Sequence, residues 1–516
     1  MKNIKKERRL NEFLTRLEIQ NTQKGRTDSH AISPIFTWTG HPFTDAGLVA
    51  LLLLSGKEKP EELTEEDVKR AVKFVAKLYS QEGWAQLLAR IYRNNNPILM
   101  INPSMRKYAT PDKLEFSLWG LYQLILSTRK HKDRKVCQIC GRYPVVSGLE
   151  LRSIINTKER ERPKEITGDI FPLLGTGDLR NYFPHGNEMG ADICAHCLFL
   201  AQLSSVGSYV ITTKNGKTQG VLIVHAYPYE KMVELNKAAV NSAKKAYLYN
   251  TAEGFKQPVN FLFELIRKVA ENVETGYWED VSISAYYYLN GNRTGEQWIE
   301  IFYIPNPILR FVAFAARKDG IGWKKIVLMG WRKRPSEKEF EDFKKRYPND
   351  VYSKLLSGES ILPYFLDIQN RKVNAGWNLL SFYCSEVLGL DKEALEFIKG
   401  VADRIVETVE KLPDNKLSRR IRELERAEKL YQFESFFIRV EKDRQEFGIP
   451  EALMSFDDFA RILTSYGEDL NVSWKTVKNL LLFRIYEKLH DRLMKASLEK
   501  AEVEEAEEEF EEGVEK

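Results

Sequence analysis

Cys137-Gln138-Ile139-Cys140 and Cys194-Ala195-His196-Cys197 are the two stretches from which the rest of this chain can be read. A tight turn brings side chains three positions apart to the same side, so each pair offers two sulfurs to one ion. Two such pairs complete a tetrahedral site with no open position. The spacer is longer than the usual 15–20 or so residues, but loop closure costs only about 0.6 kcal/mol per doubling of length. We therefore predict one structural zinc ion bound by four cysteines: Cys137, Cys140, Cys194 and Cys197.

The residues inside and beside these pairs favour the same interpretation. Gly141 follows the first pair, where a positive φ would turn backbone amides toward the sulfurs. His196 lies within the second pair, and we expect it to be a neighbour of the metal rather than a ligand. Four buried thiols or two disulfides are the alternatives. Disulfides belong to oxidising compartments, and nothing in the sequence indicates export.

A run of cations precedes the first cysteine pair. Cations held beside a metal-pinned turn suit a surface that tracks phosphates, because counterion release then supplies affinity. The exposed end of a helix would have a similar composition, so the run alone leaves both interpretations open. The candidate nucleic-acid-binding residues here are Arg129, Lys130, Lys132, Arg134 and Lys135.

Composition places the chain among ordinary globular proteins. With 516 residues, of which 43% are hydrophobic, it can bury a large core and divide into two or three domains. The first thirty residues lack the apolar centre of a secretory signal. The strongest apolar run, Leu48–Leu54, is much shorter than the ~20 residues of a membrane span. We therefore expect a cytoplasmic protein without a membrane partner.

The net charge of +5 conceals an uneven distribution. Residues 499–516 contain ten glutamates and two lysines, a net charge of −8, which leaves +13 on the remainder. A body this basic favours polyanionic partners. We expect the acidic tail to be a disordered or frayed extension that maintains solubility or screens the basic body.

The region before the metal site, residues 1–128, has helical periodicity. Residues 1–26 indicate a short amphipathic helix with a basic outer face, and Thr64-Glu65-Glu66-Asp67 is typical of a capping box. Further helices are expected at Trp84–Tyr92 and Leu114–Thr128. A compact loop that precedes the apolar run is rich in aromatic and helix-capping residues, and it contains Trp38, Gly40, His41, Pro42, Phe43 and Asp45.

Residues 201–385 have the alternation typical of antiparallel strands. Ser208–Lys214 and Gly220–Ala226 flank an Asn-Gly turn and predict a hairpin. Val281–Leu289 and Gln297–Ile304 predict a second hairpin. Polar tips of this kind can contact bases or phosphates, although solvated turns look the same. The candidate tip residues are Lys214, Asn215, Lys217, Asn292 and Arg293.

Tryptophans and cations alternate further along this part of the chain. Trp323 and Trp331 could stack bases while neighbouring cations contact phosphates. They could equally form the edge of an aromatic core that is covered by lysine stems. The triple Tyr286-Tyr287-Tyr288 poses the same choice, and strand packing is its commoner explanation. The candidate cations are Lys324, Arg332 and Arg334.

The C-terminal region, residues 386–498, predicts a helical bundle. The expected helices lie near 391–412, 415–446, 455–466 and 472–498, with Asp391, Ser455 and Ser473 as N-caps. Together with the zinc-binding region at 129–200, the pattern predicts an α+β protein. It would have a mixed helical and antiparallel-sheet N-terminal part with an inserted zinc-ribbon-like element, and then the helical bundle.

One combination of features resembles a known family. Trp38-Thr39-Gly40-His41-Pro42-Phe43 with Asp45-Ala46-Gly47, two later Cys-x-x-Cys pairs and a helical C-terminus resemble the large subunit of type I CRISPR effector complexes (Cascade). The resemblance is strongest to the zinc-containing type I-B or Tneap branch. It covers most of the chain, and the loop and the cysteine pairs are its specific parts.

This resemblance implies a noncatalytic role in antiviral defence. A family member would contact the 5′ handle of the guide RNA and inspect duplex DNA for the protospacer-adjacent motif. It would also hold the displaced strand, contact the backbone, handle-binding and small subunits, and recruit the helicase-nuclease. Two other functions remain open from the residues alone. One is a stand-alone zinc-ribbon RNA-binding protein, and the other is a metal-dependent nuclease, which a closed metal site disfavours.

Overall fold

The computed structural model describes residues 34–93, 95–131, 133–155, 164–174, 190–212, 219–291, 297–333, 335–336, 338–464 and 474–495. The predicted helix within residues 1–26 and the acidic segment 499–516 lie outside this description.

A four-stranded antiparallel sheet occupies the centre of the fold. Its strand order is β1-β2-β3-β4, so each strand pairs with its neighbour in sequence. Thr212 pairs with Gln219 and Asn290 with Gln297, which confirms both predicted hairpins. The strands are β1 (Tyr209–Thr212), β2 (Gln219–Tyr227), β3 (Ser282–Asn290) and β4 (Gln297–Ile304).

Strands β1 to β3 are packed on both faces, and these faces contact different parts of the chain, whereas one face of β4 is largely exposed. Val221, Ile223 and Tyr288 contribute to a core that the N-terminal helices and the cysteine region share. Leu222 and Tyr287 point the other way, into a second core that extends to the C-terminal helices. Because neighbouring strand residues alternate between faces, the adjacent rings of Tyr287 and Tyr288 enter different cores. Packing, rather than base stacking, therefore accounts for these two tyrosines.

The first layer consists of helices around one central helix, α1. Every residue of α1 from Phe43 to Leu52 is buried, as expected for a helix that is apolar on all sides. The Thr64 side chain and Asp67 form the predicted capping box at the start of the next helix. The helices are α1 (Pro42–Ser55), α2 (Glu65–Tyr79), α3 (Glu82–Ile91), α4 (Pro103–Arg106), α5 (Pro111–Thr128), α6 (Gly148–Ile154) and α7 (Ala195–Leu203).

Gly47 allows α1 and α7 to cross in close contact. A Cβ atom built at Gly47 would lie 1.8 Å from the backbone oxygen of Leu200. No side chain fits at that distance, so only glycine permits this approach. All residues of α7 are buried, and the crossing connects the cysteine region to the centre of the molecule.

The second layer covers the opposite face of the sheet with helices and a small two-stranded ladder. Trp323 and Trp331 are 4% and 5% exposed, and the Lys324 Nζ lies 5.1 Å from the centre of the Phe340 ring. These contacts support the core-edge interpretation of the two tryptophans. The elements are α8 (Met232–Ala246), α9 (Pro258–Asn272), α10 (Asn306–Lys318), α11 (Gly320–Met329), α12 (Phe340–Arg346), α13 (Asp350–Ser357), β5 (Leu366–Asp367), β6 (Lys372–Val373) and α14 (Trp377–Glu386).

The C-terminal region is helical, as predicted, but the prediction of one helix over 415–446 is wrong. The chain leaves the helix after Glu425 and starts a new one at Leu430, where Gln432 accepts the amides of Glu428 and Lys429. Asp391 and Ser455 cap helices as expected, and Ser473 lies outside the description. The helices are α15 (Lys392–Val409), α16 (Asp414–Glu425), α17 (Leu430–Glu446), α18 (Phe456–Thr464) and α19 (474–495).

These elements confirm the predicted α+β class, with a helical C-terminal region. The domain boundaries stay predictions, and one apolar core runs from the sheet into the C-terminal helices. None of the described helices is both long enough and apolar enough to cross a bilayer.

We expect Gly47→Ala to lower the free energy of unfolding by about 1–3 kcal/mol or more, because the added methyl overlaps the Leu200 backbone. Gly400→Ala is the matched control, since a Cβ there meets no atom within 4 Å and alanine favours a helix interior. Urea unfolding measures both variants. Equal stability of the two would contradict the close crossing.

Candidate metal centre

The two cysteine pairs meet in space. The four sulfur atoms all lie within 4.8 Å of one another, and no disulfide joins them. Cys137 Sγ is 3.9 Å from Cys197 Sγ, and Cys140 Sγ is 3.7 Å from Cys194 Sγ. Three of the four side chains are buried and Cys140 is partly exposed.

The spacing of the sulfurs fits a tetrahedral zinc site. With a zinc–sulfur bond of about 2.3 Å, the edge of the tetrahedron is about 3.8 Å. A disulfide would require about 2.05 Å between sulfurs, and all four cysteines are free in this arrangement. Among the described residues, no other group of three or more His, Cys, Asp or Glu side chains is arranged to hold a metal ion. Cys137, Cys140, Cys194 and Cys197 could therefore hold one metal ion.

The first pair lies on a short hairpin turn. Val136 and Pro144 form an antiparallel bridge across it, and the Cys137 amide donates to the Tyr143 carbonyl at 2.9 Å. Gly141 has a φ of +61°, as predicted, and its amide donates to the Cys137 carbonyl at 2.9 Å. The left-handed glycine closes the turn, so both sulfurs project to the same side.

The second pair lies at the N-terminus of α7. Cys194 is the N-cap, and its sulfur accepts the amide of Cys197 at 3.4 Å. Amides at a helix N-terminus stabilise negative charge, which suits a thiolate. The segment that leads into this helix pairs with the first turn, since the Gln138 amide donates to Asp192 and the Val146 amide to Ile193.

The electrostatics of the cluster require a cation if all four thiols ionise. Contact with the Cys137 sulfur lowers the pKa of Cys140, whereas burial raises the pKa of Cys194. Four thiolates at this spacing would repel one another in a buried site. A divalent ion removes the repulsion, and its binding energy then stabilises the fold.

The candidate metal centre is in contact with the segment that leads into the Trp38–Gly47 loop. The Thr37 amide lies 3.4 Å from Nε2 of His196, which packs against Phe36 and Tyr143. Burial lowers the pKa of His196 to about 4, so the ring is neutral at pH 7. The Arg142 guanidinium, beside the first turn, donates to the Trp38 carbonyl at 3.2 Å. His196 thus acts as a packing partner of the loop.

A buried carboxylate organises the loop itself. Asp45 is 0% exposed, and its oxygens accept the amides of Thr39 and Gly40 at 2.8 and 2.9 Å. Nε2 of His225, on β2, lies 3.0 Å from the same carboxylate. These contacts hold Gly40 at a φ of +79°. The buried Asp45 side chain therefore holds the backbone of this loop in one conformation.

The remaining loop residues pack in different ways. Phe43 is buried against Tyr288, with ring centres 5.1 Å apart, and Pro42 is the first residue of α1. Trp38 is partly exposed, and its ring lies 6.2 Å from that of Tyr229. His41 packs against Phe171, and its Nδ1 is buried without a hydrogen-bond partner in the described part of the chain.

The cations before the first cysteine pair differ in their surroundings. Arg129 donates to the Pro34 carbonyl and stacks on Tyr143, and Arg134 forms a 2.8 Å ion pair with Glu150. Both therefore have structural contacts. Lys130 is exposed. Lys135 is 56% exposed and lies 3.6 Å from Asp192. Nucleic-acid contacts by these residues stay a prediction.

The other predicted nucleic-acid residues are dispersed or undescribed. Lys324 lies on α11 and Arg332 is exposed after that helix, and neither lies beside the cysteine cluster in sequence. The residues outside the described ranges are Lys132, Lys214, Asn215, Lys217, Asn292, Arg293 and Arg334.

Sequence reasoning missed several residues that complete the site. His225 and Tyr229 lie far along the chain from the loop that they contact, and neither belongs to a recognisable motif. Arg142 follows Gly141 directly. Its position in the first turn is the one feature of the sequence that could have indicated a role at this site. Pairing in β2 brings His225 under the loop, so tertiary structure alone reveals this contact.

Comparison with protein-family models, with curated proteins and with solved structures gave no match to this chain.

We expect Cys137→Ser and Cys194→Ser each to lower the zinc content below one ion per chain and to lower the unfolding temperature. The reason is that a three-sulfur site binds more weakly and metal binding energy is folding energy. Elemental analysis and thermal unfolding measure the two effects. Cys384→Ala, at a buried cysteine outside the cluster, is the control and should retain the zinc. Full zinc content in both serine variants would contradict the four-cysteine site.

The stability of the fold should decrease as the pH falls from about 6.5 to 4. Burial lowers the pKa of His41 from its usual value of 6.5 to about 4, so the unfolded chain binds a proton first in this range. One such group changes the free energy of unfolding by up to about 1.4 kcal/mol per pH unit. Urea unfolding at several pH values should give a flatter profile for His41→Gln.

The exposed His131 supplies the control, because His131→Gln should keep the profile of the native chain. If the free energy of unfolding had the same pH dependence in the native chain and in both variants, the lowered pKa of His41 would be contradicted.

Proposed function

We propose that this chain is the noncatalytic large subunit of an RNA-guided type I CRISPR effector complex. In this role it would read a short protospacer-adjacent motif in duplex DNA and contact the 5′ handle of the guide RNA. It would also hold the displaced strand and recruit the helicase-nuclease. Guide pairing would supply most of the sequence specificity, so the protein needs only motif reading and charge neutralisation.

The observation that supports this proposal most is the contact between two distant sequence features. The Trp38–Gly47 loop and the cysteine pairs carry the family resemblance, and they are joined through Thr37 and His196 and through Arg142 and the Trp38 carbonyl. Features that serve one surface must lie together.

Charge supports the same proposal. The chain without its acidic tail carries +13, and the exposed Lys130 and Lys135 lie beside the rigid first turn. The internal contacts of Arg129 and Arg134 anchor the residues next to Lys130 and Lys135 in the chain. Lysines on a fixed backbone can meet phosphates with little loss of conformational entropy.

A structural role for the metal agrees with a noncatalytic subunit. Four sulfur ligands would leave zinc without an open coordination position, and hydrolytic zinc requires one. The metal would act by holding α7 and the first turn together. We therefore assign no reaction step to it.

The test is purification of the chain with a type I repeat array and the other complex subunits, followed by sequencing of bound RNA and measurement of duplex binding. We expect guide RNA in the particle and a preference for one short duplex motif. Lys130→Glu with Lys135→Glu should weaken duplex binding and reduce the slope of log affinity against log salt by up to about 1.8.

Lys392→Glu with Lys411→Glu, both exposed in the C-terminal helical region, is the charge-matched control for that pair. Binding of structured RNA without a guide, and without any duplex motif, would instead identify a stand-alone RNA-binding protein. Sustained cleavage of DNA or RNA with magnesium or manganese would overturn the noncatalytic assignment.

A further inference from the structure

Helices α16 and α17 enclose a basic pocket on the C-terminal helical region. Its cavity volume is about 530 Å³. Four arginines and one glutamate supply its charged groups, and an aromatic ring lies among the remaining lining residues. The arginines are Arg419, Arg422, Arg426 and Arg439.

The single carboxylate does not neutralise these arginines. Glu423 forms ion pairs with Arg439 at 2.7 Å and with Arg419 at 3.8 Å. It also accepts from Arg420, which does not line the pocket. Within the described ranges, Arg422 and Arg426 have no carboxylate at ion-pair distance. The pocket therefore has a net positive charge and two arginines that are available to an anion.

An exposed ring supplies a second kind of contact. Tyr431 lines the pocket and is 60% exposed, so its ring is accessible to a ligand. Phe436, also in the lining, is 1% exposed. An accessible aromatic face beside arginines is the combination that binds one base and its adjoining phosphate.

The backbone of this pocket is held in place by contacts outside it. Arg420 on α16 makes a two-pronged contact with Asp443 on α17, at 2.8 and 2.9 Å. Lys478 on α19 donates to the Ala427 carbonyl in the turn between the two helices, at 2.8 Å. The arginines thus project from a braced helix pair, so little ordering of the backbone is required on binding.

We propose that this pocket binds the phosphodiester backbone of a single-stranded nucleic acid, with a base stacked on Tyr431. Arginine recognises phosphate through paired donors, and a concave site with an open ring requires a base that is not already stacked in a duplex. The inference deepens the nucleic-acid-binding function proposed above, because it names a residue set and a strand type.

Fluorescence anisotropy with a labelled oligothymidine measures the binding, on the full chain. Arg422→Glu with Arg426→Glu should weaken it at least about tenfold and reduce the salt slope by about 1.4, since each single-strand phosphate contributes about 0.7. Tyr431→Leu should weaken it at least about fivefold with an unchanged salt slope. Lys411→Glu with Lys416→Glu removes the same charge outside the pocket lining and should have a much smaller effect.

Cross-linking locates the bound strand on the native chain, so this test does not depend on whether the variants fold. Ultraviolet cross-linking of a 4-thiothymidine strand, followed by mass spectrometry, should attach the base at or beside Tyr431. A cross-link elsewhere, or equal losses in the pocket and control variants, would overturn the pocket assignment. The function proposed above would then stand if duplex binding and guide association persist.

Two competitors separate the sources of negative charge. A free nucleoside triphosphate should displace the labelled strand only at a much higher concentration than an unlabelled strand does. If the triphosphate bound as tightly as the strand, the assignment to a single-stranded nucleic acid would be overturned. A glutamate-rich peptide with the sequence of residues 501–512 should compete weakly. Complete displacement by that peptide at similar concentration would assign the pocket to acidic protein segments instead.

Discussion

Four sulfur atoms within 4.8 Å of one another join two turns that are far apart in sequence, and much of the N-terminal layer depends on this junction. One turn is a short hairpin, and the other is the start of α7. Because α7 is buried throughout and crosses α1 at Gly47, a constraint on its first residues is transmitted to the centre of the fold. From α1 it reaches the Asp45 carboxylate, which holds the preceding loop.

The central sheet separates the layer that contains the four cysteines from the rest of the molecule. Its two faces belong to two apolar cores, and adjacent residues such as Tyr287 and Tyr288 enter opposite ones. Two hairpins lie side by side in the order β1-β2-β3-β4, and the connection between β2 and β3 contains α8 and α9. This topology brings His225 on β2 under a loop from the start of the chain, which couples the sheet to the loop without any sequence motif.

Charged residues show why composition is a poor guide to binding surfaces. Arg134 belongs to the most basic run of the sequence, yet it is paired with Glu150 and supports the hairpin turn. Arg422 lies in α16 and Arg426 directly follows this helix. The helix also contains glutamates, but Glu423 forms ion pairs with Arg419 and Arg439 instead. The geometry of the helix pair, rather than the local charge count, decides which cations remain available to a polyanion.

The sequence by itself determined the α+β class, both hairpins, the capping box at Thr64 and the four sulfurs that could bind one metal ion. These follow from local rules: alternation in strands, helix caps, turn residues and ligand spacing act over a few positions. It did not reveal the break between Glu425 and Leu430, because a helical pattern continues on both sides and capping by Gln432 decides the boundary. Only the tertiary structure decided that Gly47 permits the α1–α7 crossing, that His225 pairs with Asp45, and that Glu423 pairs with Arg439. Each of these depends on contacts between residues far apart in sequence, and such contacts leave no periodic signal in the chain.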